Sequence, residues 1–179
     1  MSSEIRIQAD EFYNSHLVLK QNDEALMNNL AQLNGKPLVM KDGLGTRPTM
    51  CVHIVCLAFA LELYIKDLHW VVNEKVPRGH DILKLFERLP EDIRQKVFEH
   101  ESISQNPFAT RPSMLCTKPA NEYDGFISQI KLISDGFVKW RYSYEARTLQ
   151  YNEWFAVALI EAAASVTDNF RKSMDVRKA

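Results

Sequence analysis

With 179 residues, 46% of them hydrophobic, the chain is long enough for one domain with a single sizeable core. Its 22 basic residues nearly balance 23 acidic ones, for a net charge of −1, which excludes a general nucleic-acid coat and leaves any nucleic-acid contact local. The cysteines Cys51, Cys56 and Cys116 are odd in number and lack Cys-x-x-Cys spacing, which suits a reducing cytosol better than a disulfide framework.

The opening residues carry acidic side chains and no apolar stretch, so they do not read as a signal peptide. Residues 1–34 form an N-terminal region of one or two helices, with Phe12, Leu26, Leu30 and Leu33 on apolar faces. Asn34 to Pro48 is rich in glycine and proline and reads as a loop. Pro48 suits the first turn of a helix running to about Asn73, apolar nearly all round between Met50 and Ile65, as a central helix is. His53 and Glu62 interrupt that run before the roughly 18 apolar residues a membrane span needs. A soluble cytoplasmic protein with no membrane association is expected.

The chain breaks at Pro77-Arg78-Gly79, and Asp81 then caps a short helix through Leu89. Pro90 opens another, which turns Ile93, Val97 and Phe98 inward. Ser104 to Pro119, with its prolines, reads as a long surface loop. Phe126, Ile130, Ile133 and Phe137 mark an amphipathic helix from about Ala120. Asn152 caps the last helix, which buries Phe155, Leu159, Ala162, Val166 and Phe170. Scarce glycine (6) and helical spacing throughout make the fold class all-α. Residues 49–173 form the core bundle of a single domain covering 1–179.

Three clusters could carry chemistry. Glu62 and Lys66, one turn apart, form a structural ion pair on the first reading; on the second, Lys66 faces a groove and binds an anion. His80-Asp81 invites a general-base reading, but neighbours in sequence rarely face each other. The structural alternative has Asp81 as a helix cap and His80 bonded back to the end of the preceding helix. Lys139 to Glu145 (KWRYSYE), followed by Arg147, Tyr151 and Trp154, interleaves cations with aromatics that could stack on nucleotides or pack as core. Cys51, His53 and Cys56 cannot converge on one ion from a helix, so no metal is expected. No glycine-rich phosphate loop or Gly-x-Ser-x-Gly elbow is present, and no cofactor is expected.

Ala60-Leu61-Glu62-Leu63-Tyr64-Ile65-Lys66, then Gly79-His80-Asp81-Ile82 with Leu85 and Leu89, then Trp140-Arg141-Tyr142 with Tyr144-Glu145, resemble HEPN (higher eukaryotes and prokaryotes nucleotide-binding) domains. The resemblance spans Ala60 to Glu145 in the family's order. It implies an all-α bundle of four or five core helices, here with an additional N-terminal helical region, that usually dimerises. Catalytic members are metal-independent ribonucleases of toxin, antiphage and RNA-processing systems, sharing an Arg followed after four to six residues by a His. Other members are non-catalytic and bind nucleotides or a nucleotidyltransferase partner.

Arg141 is the natural counterpart of that arginine, but Ala146, Arg147 and Thr148 stand where the histidine would be. Arg47 with His53, and Arg94 with His100, satisfy the bare spacing elsewhere. The resemblance therefore implies a non-catalytic module, a homodimer, binding a nucleotide, an RNA-like anion or a protein partner in a toxin–antitoxin or antiphage setting. Arg141, Tyr142, Glu145 and Lys66 are its candidate ligand residues. Glu62, His80, Asp81, Trp140 and Tyr144 are motif residues. One alternative is a metal-independent endoribonuclease using His100 or His53 as an atypical base. The other is a purely structural or regulatory interaction protein.

Overall fold

A helix that is apolar on nearly every side has no stable place at a surface, and Val52–Asn73 is such a helix. In the computed structural model, which describes residues 2–32, 52–106, 121–134 and 151–178, it is the element around which the others gather. The described residues form helices α1 (Ser2–Gln32), α2 (Val52–Asn73), α3 (Ile82–Glu87), α4 (Glu91–Phe98), α5 (Glu101–Ser104), α6 (Glu122–Ile133) and α7 (Glu153–Lys178), and no strand. The fold is an all-α bundle, as the helical spacing predicts. Among the described residues, no helix is long and apolar enough to cross a membrane.

α1 runs antiparallel to α2: His16 meets the His53 end, and Tyr64 reaches Asp10. α7 runs parallel to α2, and its Arg171 meets Asp67. The two outer helices also touch, through Arg6 with Asp168 and Lys20 with Glu153. α4 and α5 pack on α7, while α3 bridges α2 and α6.

Leu57, Leu61, Ile65 and Leu68 of α2 are fully buried against Phe155, Leu159, Ala162 and Ala163 of α7 in one core cluster. Phe126 sits among other rings, its centroid 5.5 Å from Phe86 and 5.7 Å from Phe155, both near edge-to-face. Burying each such ring contributes about 1.5–3 kcal/mol, so the three together hold α3, α6 and α7 in register.

The described segments refine several sequence expectations. Residues 2–32 form one helix, whose Phe12 ring meets Phe59 at 4.4 Å. Ile93, Val97, Phe126, Ile130, Ile133, Phe155, Leu159, Ala162 and Val166 are buried as their spacing predicts. Ser104, expected to open a loop, instead ends the short helix α5. Its cap is the His100 ring, whose Nδ1 accepts from the Ser102 backbone N–H at 3.2 Å. Histidine is not among the usual capping residues, so this turn has no conventional signature. The Leu26 and Leu30 side chains, Leu33, Phe137 and residues 107–120 lie outside the described residues.

Candidate functional site

The corner between α2 and α3 is built from the caps inward. Asp81 has the extended backbone of a cap residue and accepts from the Lys84 backbone N–H at 3.1 Å. Ser134, at the end of α6, donates its hydroxyl to the same Asp81 oxygen and accepts from the Leu83 N–H at 2.8 Å. Burial pushes the Asp81 carboxyl up, but the Ser134 and Lys84 bonds outweigh it and hold it below the ordinary carboxylate range. His80 then projects back onto α2. Its Nδ1 lies 3.0 and 3.1 Å from the two Glu62 oxygens, so Nδ1–H donates.

Glu62 is buried, 1% exposed, and receives the Lys66 ammonium at 2.6 Å as well. The Lys66 side chain is itself mostly buried. Glu62, Lys66 and His80 thus form one cluster around a desolvated carboxylate, and the Lys66 charge is directed at that carboxylate. The sequence placed His80 against the end of the preceding helix; the partner is Glu62, well inside α2.

The remaining candidates are scattered. His53 has Asp23 3.3 Å from Nδ1, close enough for attraction but without hydrogen-bond alignment. Arg94 is half-buried, with its Nε in the interior and no hydrogen-bond partner there. His100 lines two adjoining grooves of about 540 and 530 Å³, and Arg94 is among the lining residues of neither. Arg47, Cys51, Trp140, Arg141, Tyr142, Tyr144 and Glu145 lie outside the described residues. Of the aromatic tail of that cluster, Tyr151 has its phenol pushed up by burial and Trp154 is exposed beneath the Lys20 ammonium. Burial raises the Cys56 thiol, and no three His, Cys, Asp or Glu side chains among the described residues could hold a metal ion.

Two charged clusters escape a reading of the sequence. Asp67, fully buried in α2, takes one Arg171 nitrogen on its two oxygens at 2.7 and 2.8 Å, with Arg6 3.9 Å away. Arg6 also binds Asp10 and Asp168, and Tyr64 donates to Asp10, so α1, α2 and α7 are tied at one end. The only local signal is a charge inside an apolar run, because Arg171 lies 104 residues away. At the other end, His16 Nδ1 is 2.9 Å from the His53 carbonyl, which can only accept, so Nδ1 carries the proton. Its Nε2 stands 3.4 Å from Glu153, whose carboxylate receives Lys20 at 2.7 Å. Burial dominates and lowers the His16 pKa, so the ring is neutral at pH 7. His69 is likewise buried and lowered, its Nε2 donating to the Leu85 carbonyl at 2.8 Å.

Against family models, curated proteins and solved structures, the chain finds no match.

Proposed function

We propose that this protein is a non-catalytic HEPN-like module that binds a nucleotide or RNA-like anion as a homodimer, through Arg141, Tyr142 and Glu145. One observation carries the non-catalytic half: His16, His53 and His69 are committed to the bundle. His16 and His69 are buried and neutral, His80 is bonded to Glu62, and His53 sits against Asp23. A general base must offer a ring nitrogen to the substrate hydroxyl. The mostly buried His16, His53 and His69 rings face protein partners instead, whereas the His80 ring, held by Glu62 through Nδ1, is 56% exposed. Support for the binding half is the sequence alone, where an arginine among aromatics is retained without its histidine.

Equilibrium binding of labelled RNA and nucleotides to the unmutated chain and to Arg141→Ala tests the reading. The expected result is binding that Arg141→Ala abolishes, with the RNA left intact. No binding to any nucleotide or RNA by a folded dimer sinks it.

His100 favours a second reading, an atypical metal-independent endoribonuclease. Its Nδ1 is spent on the helix cap, which leaves the Nε2 edge of a ring that lines two grooves. RNA cleaved without metal by the unmutated chain but not by His100→Ala is the outcome this reading requires.

A further inference from the structure

Lys75 and Arg88 share one groove where, among the described residues, no carboxylate lines the wall. The groove, about 560 Å³, lies at the turn after α2 and is lined by His69, Asn73, Lys75, Val76, Pro77 and Arg88. Neither cation is ion-paired among the described residues, whereas Lys20, Lys66, Lys84, Lys96, Arg6 and Arg171 each are. Arg88 gives one N–H to the Arg78 carbonyl at 3.2 Å, which steadies the guanidinium and leaves its other donors uncommitted. Arg88 also helps to lower the His69 pKa, behind the larger effect of burial, so its charge is felt at the groove wall. The turn itself is strained: Glu74 has φ +54°, a left-handed conformation that side-chain-bearing residues seldom adopt. It follows directly on α2, where a left-handed residue commonly ends a helix.

We propose that this groove binds a phosphate group, held by Lys75 and Arg88 with the Asn73 amide as a further donor. Val76 and Pro77 form the apolar wall for whatever the phosphate is attached to. A phosphate is matched both by the uncompensated charge and by the planar fork of an arginine. The groove around Lys96 lacks this character, because Glu99 shares its wall. The last carbonyls of α2 place partial negative charge at the same end, and the two cations also offset it. That structural role is what the experiment must separate from binding. The phosphate proposal does not depend on the reading of Arg141.

The test is calorimetric titration of the full chain at low ionic strength, where charge–charge binding is least screened, with inorganic phosphate and phenyl phosphate, neither of them a nucleotide, as probes. The expected result is saturable binding that weakens at least tenfold in Lys75→Gln/Arg88→Gln, with Tm unchanged and with Arg141→Ala binding as tightly as the unmutated chain. Equal affinity for the probes assigns the site to free phosphate; tighter phenyl phosphate assigns it to a phosphate carried on a larger group. In the unmutated chain, titration also shifts the His69 ring-proton resonances. No binding of either probe, binding that survives the double substitution, or a lowered Tm with affinity intact overturns the proposal. None of these outcomes touches the RNA-binding test on Arg141→Ala.

Discussion

Glu62 and His80 share hydrogen bonds, yet their removal has unequal consequences. Glu62 is buried and the Lys66 beside it is nearly so. Glu62→Ala strands a desolvated ammonium, and breaking a buried pair in this way costs about 3–5 kcal/mol. The His80 ring is 56% exposed, and water replaces what it loses, so His80→Ala is expected to cost under about 1 kcal/mol. Urea denaturation of both variants checks the contrast; equal losses would refute this account of the cluster. The sequence showed that Glu62 and Lys66 can pair, since four residues make about one helical turn. It did not show that His80 joins them, because that contact depends on how the turn folds back.

Among the helices and turns, the caps carry most of what is legible. Asp81 and Asn152 stand where a cap is expected, and both make the bond: Asp81 to the Lys84 N–H, Asn152 to the Phe155 N–H at 3.1 Å. Asn152 also donates to the buried Gln129 amide at 3.0 Å. Asn152→Ala is therefore expected to cost about 1 kcal/mol for the cap, with a further loss from the broken bond to Gln129, read as a lowered Tm. The α2–α3 turn offers a change of opposite sign. Glycine accepts positive φ without strain, so Glu74→Gly is expected to stabilise by about 0.5–1 kcal/mol. Gly79, at φ +110°, has open space where a Cβ would stand, so replacing it by alanine is penalised through the backbone alone, by about 1–2 kcal/mol. Thermal melts of the two variants should move in opposite directions. Local chemistry predicts caps and proline breaks well, and it misses α5 because a histidine does the capping there.

For the whole molecule, stability should peak on a plateau bounded by two sets of buried rings. His16 and His69 have pKa values lowered from 6.5, chiefly by burial, so the unfolded chain binds protons more readily than the folded one below that value. Their contribution is complete above pH 6.5 and is lost as the pH falls below it. The Tyr64 and Tyr151 phenols are raised above 10, first of all by burial, and the Asp10 carboxylate adds to this at Tyr64. The unfolded chain releases those protons first, so stability falls again as the pH rises through about 10. Tm measured from about pH 5 to about pH 11 should drop at both ends. In His69→Gln, whose amide can still donate to Leu85, the acid limb should become shallower; an unaltered limb would remove His69 from the account.

Apolar spacing and capping chemistry were enough to establish the all-α class, the central helix and the inward faces of the later helices, because both act within a few residues. Which charges meet was settled only by the way the chain packs. Asp67 finds Arg171 across 104 residues, Glu62 gains His80 through a turn, and Lys75 and Arg88 share a groove with no acid lining it among the described residues. Ion pairing falls off over a few ångströms, so it depends on how helices cross and turns close. A one-dimensional pattern of residues does not contain those distances.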